Sequence, residues 1–401
     1  MNKDCCNNNK NSSPRTTPSI KTLSLKDYLC PETRPQFLNE MRDSLMEIGT
    51  FYIKDHGVPV EVTRGAMKAI QNYFALPLEE KRKMHIRNSR HFRGYKLMGE
   101  EMTNNQVDHR EQLQFAPEQS PNESFDPTVS HPWEGLQGPN QWPLSTLALV
   151  PEFKPSILQF MDQLETLSQH LMEAIALSLN LEATYFRDLF GPSPYYRLKC
   201  AKYPPVEKAD TIGCGAHKDT GFLTVLLQDM VGGLQGQDPV TGQWMDTRPI
   251  PDTFIVTMGE TIEKLTGGLY HATVHRVMNN TSGQDRFSIP FFFDPSLNAK
   301  IPHRIPNLRS LKRSKSSTSS MSMSISTSTS STSSLVSLSE EESSSEDEMG
   351  RMIHDMKIHS GNDDVLPSQD IQDSWINGDH IFETVHRCHP EVFSRWYSQE
   401  I

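Results

Sequence analysis

Three places in the chain put a histidine two residues ahead of a carboxylate: His109 and Glu111, His217 and Asp219, His389 and Glu391. In extended chain such residues point the same way, so each pair could grip one ion. A histidine from a neighbouring strand would complete two imidazoles and one carboxylate on one face of a metal. That set leaves the opposite positions open, and it is the arrangement by which non-haem iron(II) binds oxygen beside a chelating molecule. With 15 histidines in 401 residues a chance pair is expected, so the surroundings of each pair must separate them.

His217-Lys218-Asp219 stands just before Phe222-Leu223-Thr224-Val225-Leu226-Leu227, an apolar run of strand character. His109 lies in the polar stretch Asp108-His109-Arg110-Glu111, and His389 precedes Pro390, where a helix would start. Only the middle pair has a fitting partner: His275, inside a second strand-like run from His271 to Met278. The candidate metal ligands are therefore His217, Asp219 and His275. His271, four residues earlier, is the rival for the third place. Cys214, three residues before His217, reads either as a soft ligand or as a small buried residue.

Arg286-Phe287-Ser288 follows, its outer residues sharing one strand face. A guanidinium fork beside a hydroxyl suits a carboxylate, because charge-assisted bonds are about twice as strong as neutral ones. Taken alone, Arg286 reads as a surface ion-pair partner. Taken with the metal triad, it reads as a dock for the far end of a dicarboxylate.

These groups need elements to hold them. Leu38, Met41, Leu45, Met46 and Ile48 recur at helical spacing before Phe51-Tyr52-Ile53, which predicts a helix and then a strand. Gly57 and Pro59 end that strand, and a second helix is expected through Ala66, Ile70, Tyr73 and Phe74. Ile157, Phe160, Met161, Leu164, Leu167, Leu171, Ile175 and Leu179 form the longest helical pattern, read as scaffold. From Tyr195 the texture changes to short β-rich runs between Gly and Pro turns: 222–227, 254–258, 271–278 and 287–293. Such spacing predicts an antiparallel sandwich or barrel.

Composition narrows the function classes. A net charge of −11 and a pI near 5.8 offer nothing to attract nucleic acid or an anionic membrane, so the expected partner is a small molecule. The six cysteines show no CxxC pair, which argues against a disulfide framework or a structural zinc site. Residues 1–18 hold no apolar leader and no stretch is long and apolar enough to span a bilayer, so a cytoplasmic location is expected. Residues 303–374 hold a Ser/Thr-rich tract, opening on Arg309, Lys312, Arg313 and Lys315 and closing on acidic residues from Glu340 to Glu348. It cannot bury enough apolar surface to offset its ordering entropy, so it is expected to be a disordered insertion, a passive spacer or a phosphorylation target.

His217-Lys218-Asp219, His275-Arg276-Val277 and Arg286-Phe287-Ser288, in this order and spacing, resemble the iron(II)/2-oxoglutarate dioxygenases of the isopenicillin N synthase-like group. Tyr203-Pro204-Pro205, Leu226-Leu227-Gln228-Asp229, Gly232-Gly233-Leu234-Gln235, Gly49-Thr50-Phe51-Tyr52, His56-Gly57-Val58-Pro59 and Arg93-Gly94-Tyr95 add to the match, which covers roughly 18–302. The resemblance implies a mainly β fold with flanking helices, its core a distorted jelly roll, or double-stranded β-helix, behind an N-terminal helical region. It also implies Fe(II) on the triad, with 2-oxoglutarate as co-substrate meeting Arg286, Ser288 and Tyr203, and O2 as oxidant. The expected reaction hydroxylates, desaturates or cyclises a small organic molecule and releases succinate and carbon dioxide. Two alternatives stand beside it: an iron oxidase that needs no 2-oxoglutarate, as in isopenicillin N synthase, and a catalytically inactive binding protein. Lys218 in place of the common Thr, Ala201 in place of a frequent Asn, and Gly259-Glu260 in place of Gly-Asp depart from the pattern without removing a ligand.

The expected organisation is a disordered tail over 1–17, an N-terminal helical and strand region over 18–194, the jelly-roll core over 195–302, the insertion over 303–374, and a C-terminal helix over 375–401. Substrate contacts are expected around Phe92–Met98.

Overall fold

The computed structural model describes residues 19–104, 106–207, 212–306, 308 and 374–398. The expected tail and nearly all of the Ser-rich segment lie outside the described residues. Pro35 sits in the first turn of the helix Arg34–Glu47, where its missing N–H costs nothing. Gly49 (φ +85°) ends it, in a conformation other residues rarely adopt, and a Cβ there would collide with the carbonyl of His271. The chain can then turn directly into the strand Thr50–Lys54.

Two further helices, Val60–Phe74 and Phe153–Ser178, bury stripes at the expected spacing. In the second, Ile157, Phe160, Leu164, Leu167, Leu171 and Ile175 are at most 2% exposed. At about 1.5–3 kcal/mol per large apolar side chain removed from water, this stripe anchors the helix against the outer face of the sheet.

An eight-stranded sheet runs in the order Thr22–Ser24, Thr50–Lys54, Phe254–Met258, Leu223–Gln228, Arg286–Asp294, Tyr195–Tyr203, Glu111–Phe115, Gly94–Lys96. A four-stranded sheet runs Trp244–Asp246, Leu234–Gln237, His275–Val277, Cys214–His217. Tyr52, Ala201, Tyr203 and Ile255 of the first pack with Cys214, Leu234 and Val277 of the second in one buried cluster, so the sheets face each other as a jelly roll. The larger sheet buries both faces, and Phe254, Val256, Phe291 and Phe293 meet the helices on its outer side. Four of its strands come from the region before residue 194, so the helical region and the core share one sheet.

The run expected as a strand over 271–278 is narrower, His275–Val277. The ordered chain continues past the expected boundary at 303: Ile305 is 2% exposed and its N–H bonds to the carbonyl of Leu265. Lys300–Pro302 pairs with Ser374–Ile376, and the expected single C-terminal helix is this strand followed by Asn377–Cys388 and Pro390–Trp396. Pro390, lacking an N–H and starting a new helix, explains the break. No helix among the described residues is long and apolar enough to cross a membrane.

Candidate metal centre and its cavity

His217 and His275 face each other across paired strands, their rings 4.4 Å apart. Both Nε2 atoms lie 3.7 Å from Oδ1 of Asp219, which leaves the strand two residues after His217. The three side chains offer ligand atoms within 4.8 Å of one another, and they are the only such group among the described residues. Nδ1 of His217 lies 2.9 Å from the carbonyl of Gly215, and Nδ1 of His275 lies 3.0 Å from that of Thr273. A carbonyl only accepts, so each Nδ1 carries the proton and each Nε2 turns its lone pair toward Asp219. The hydroxyl of Thr224 donates to Oδ2 of Asp219 at 2.6 Å and leaves Oδ1 for a metal. Burial works to raise the Asp219 carboxyl, but His275 and His217, when protonated, and the Thr224 hydroxyl outweigh it and hold it below its ordinary value. Burial also lowers His275, against the pull of Asp219, which favours the neutral imidazole that a metal needs.

The loop after Asp219 is clamped. The amide of Phe222 donates to Asp294 Oδ1 at 2.9 Å, and a Cβ on Gly221 would collide with that same oxygen. The backbone N–H of Glu260 donates to the carbonyl of Asp219 at 2.8 Å. The residue at this position therefore meets the ligand loop through its main chain, a contact that Glu and Asp make alike. Lys218 pairs with Glu263 at 2.6 Å and so ties the ligand strand to the neighbouring helix.

The rival residues go elsewhere. His271 is outside the triad, and its amide bonds to Leu45 O. Glu111 holds Lys81 at 2.6 Å and Tyr95 at 2.5 Å on the outer side of the sheet, and His389 packs against Lys96. Cys214 is buried, 3.8 Å from His217 Nδ1, and burial pushes its thiol up to about 11, so the small-residue reading holds.

Arg286, Ser288 and Tyr203 line the same cavity as the triad, a space of about 840 Å³ including its mouth. Arg286 pairs across the sheet with Tyr203, and Ser288 with Ala201. The guanidinium is 1% exposed, lies 4.8 Å over the Tyr203 ring and donates through Nη2 to Gln228 at 3.2 Å. Its Nε and Nη1 are buried without a partner among the described residues. Buried donors are nearly always satisfied, so two on one guanidinium facing a cavity call for an acceptor from outside the chain. A carboxylate fits them, and the triad fits a divalent iron.

Sequence reading missed other lining groups: Thr224, which shares its strand face with Leu226, and the cations Arg110 and Lys199. Strand alternation after Asp219 could have singled out Thr224, but nothing local marks Arg110 or Lys199. Phe92–Met98 does not line the cavity. Phe92 packs on Phe382 and Tyr397 of the C-terminal helices instead, because the strand Gly94–Lys96 lies at the far edge of the sheet.

Comparison with known proteins adds to this geometry. Residues 20–145 match the family described as non-haem dioxygenase in morphine synthesis N-terminal, and residues 194–295 match the 2OG-Fe(II) oxygenase superfamily. A 1-aminocyclopropane-1-carboxylate oxidase of Dictyostelium mucoroides is 35% identical over 315 residues, covering 69% of this chain and 82% of the relative. A 2-oxoglutarate-dependent dioxygenase of Dothideomycetidae sp. (strain 11243) is 34% identical over 310 residues, covering 73% and 79%. The crystal structure of a full-length Neurospora crassa protein in complex with alpha-KG and 5-formyluracil superposes with a TM-score of 0.62 at 25% identity, covering 73% of this chain and 89% of that one.

Proposed function

Because the chain belongs to the 2-oxoglutarate/iron(II) oxygenase superfamily, we propose that His217, Asp219 and His275 hold its iron and that Arg286, Ser288 and Tyr203 receive its co-substrate. The enzyme is a non-haem iron(II)- and 2-oxoglutarate-dependent dioxygenase acting on a small molecule with O2 as oxidant. When bound, iron and 2-oxoglutarate supply the oxidising chemistry, with succinate and carbon dioxide as by-products.

The chain's own contribution is geometry. The Nδ1 bonds to Gly215 and Thr273 stop the two imidazoles from rotating, and Thr224 fixes which Asp219 oxygen faces the metal. Arg286 offers Nε and Nη1 as a fork to the far carboxylate, with the Ser288 hydroxyl on the same strand face and the Tyr203 ring as a wall. Leu226, Ile255, Val277 and Phe292 line the rest and exclude water. The free buried thiols Cys200 and Cys214 suit a reducing compartment, and we place the enzyme in the cytoplasm.

The observation that carries this reading is the orphaned Arg286 fork in the cavity of the triad. Anaerobic addition of iron(II) and 2-oxoglutarate should give the weak visible charge-transfer band of the chelate. His217→Ala should abolish it. Iron binding without a band would move the protein to the oxidase alternative, and no iron binding in the wild type would refute the enzyme assignment of these residues.

A further inference from the structure

The cavity has a second cationic wall that neither the metal nor the co-substrate uses. Lys199 lies on the same strand face as Tyr203 and Ala201, and Arg110 stands just before the neighbouring strand Glu111–Phe115. Both line the cavity. One carboxylate fixes them as a pair: Glu101 Oε1 lies 3.0 Å from Lys199 Nζ and 3.4 Å from Arg110 Nη2. Asp108 takes the same Nη2 at 2.9 Å.

Both carboxylates are nearly inaccessible, at 3% and 0% exposed, and neither lines the cavity. The acidic groups sit behind the cations, and the cations face the open space. Donor capacity is left over. An ammonium has three donors, and among the described residues the side chain of Lys199 donates only to Glu101. Arg110 Nε is buried without a partner among them, and Nη1 reaches only the Tyr203 hydroxyl at 3.4 Å. Apart from Asp219, no carboxylate of the described residues lines the cavity, so a cationic substrate finds no counter-charge there. The hydroxyls of Thr50 and Thr224 are already committed, to Thr273 and Asp219. Those of Thr257 and Thr273 are committed too, to Gly49 and Ile48. Beyond these, the co-substrate residues and the Thr247 hydroxyl, the lining is mainly apolar, including Ile20, Leu234, Pro290 and Phe292.

We propose that the substrate is a carboxylic acid with an apolar body, its carboxylate received by Lys199 and Arg110 and its body laid along the Phe292 side of the cavity. This rests on the reading above, in which Arg286 is taken by 2-oxoglutarate and the iron by the triad. Lys199 is then a specificity-determining residue: it binds the substrate's charge and sets which carbon stands before the metal.

The test uses the full-length protein loaded anaerobically with iron(II) and saturating 2-oxoglutarate, the chelate band serving as proof of loading. Matched probes that differ only in charge are titrated in, phenylacetate against phenylacetamide and cyclohexanecarboxylate against its amide, with binding read from thermal stabilisation. Each acid should bind at least tenfold tighter than its amide. Lys199→Gln should erase that preference, and Lys199→Arg should keep it. If Lys199→Gln does not fold because Glu101 loses a partner, Lys199→Gln with Glu101→Gln removes both charges and gives the same reading. Equal binding of acid and amide, no binding of any acid, or a preference surviving loss of Lys199 overturns the inference. So does an acid effect that fades as 2-oxoglutarate is raised, since the acid would then be sitting on Arg286. A missing band overturns the earlier reading instead, and this inference with it.

Discussion

The two ends of the cavity are held together in different ways. At the metal end each ligand is oriented by a group close in sequence: His217 by Gly215, His275 by Thr273, Asp219 by Thr224. At the cation wall the ties that close it are distant: Lys199 reaches back 98 residues to Glu101 and Arg110 meets Tyr203 across 93, while only Arg110's two carboxylates, Asp108 and Glu101, are near it in the chain. A metal site built from local contacts tolerates drift elsewhere in the chain. A wall whose two cations are joined only through the long-range Lys199–Glu101 pair is complete only when both regions of the chain are assembled.

If this contrast is right, the largest effect on stability should come from the wall. Arg110→Met leaves Asp108 and Glu101 buried with less counter-charge and should cost about 3–5 kcal/mol in a denaturant melt, the range for breaking a buried ion pair. A loss below about 1 kcal/mol would mean that water relieves these carboxylates and that the wall is looser than its distances imply. The metal end should instead show up in ligand affinity. Arg286→Ala removes charge-assisted bonds of about 1.5–3 kcal/mol, so 2-oxoglutarate should bind roughly 10- to 150-fold more weakly by band titration. Thr224→Val leaves all three ligands and frees the second oxygen of Asp219. It should weaken iron binding about 10- to 100-fold, as loss of a partner to a metal ligand does, and cost the apoprotein about 1–3 kcal/mol for the stranded oxygen, less than Arg110→Met.

The smallest effect is a pH dependence. Burial works to raise Glu101, but Lys199 and Arg110 outweigh it and hold the carboxyl well below the usual range. A carboxyl depressed in the folded state contributes its full stability above its unfolded value, about pH 4.3, and loses it as pH falls through the folded value. Denaturant melts should therefore show wild type losing stability below about pH 4.3 more steeply than Glu101→Gln. Parallel acid limbs would show that Glu101 is not the group that ties the wall.

The same contrast explains what the sequence could reveal. That His217, Asp219, His275, Arg286 and Ser288 converge on one cavity was legible because strand periodicity puts residues two apart on one face, in short motifs. The long helix 153–178 was legible because its apolar stripe recurs without a break. Arg110 and Lys199 were not, because a lone cation has no local signature, and what joins these two is Glu101, 98 residues from Lys199. Pro390 read as a helix start, yet residues 375–401 were expected as one helix because apolar spacing continues through it; the structure breaks there. The strands at 94–96 and 111–115 were missed because they bury polar inward-facing residues, Lys96, Gln112 and Gln114, where a strand template expects apolar ones.

Lys96 carries a consequence for how the protein is made. Its side chain is entirely inaccessible, and its ammonium rests on the carbonyl of Cys388 at 2.7 Å and on His389 at 3.1 Å, with Glu391 at 3.6 Å. During synthesis at about 5–20 residues per second, some 15–60 s separate the appearance of this lysine from that of its partners. Until then the edge of the large sheet cannot close over the charge without leaving it stranded, at the cost of an unpaired buried ammonium. This corner of the sheet can therefore close only once residues 388–391 have arrived, the first of them 292 residues after Lys96.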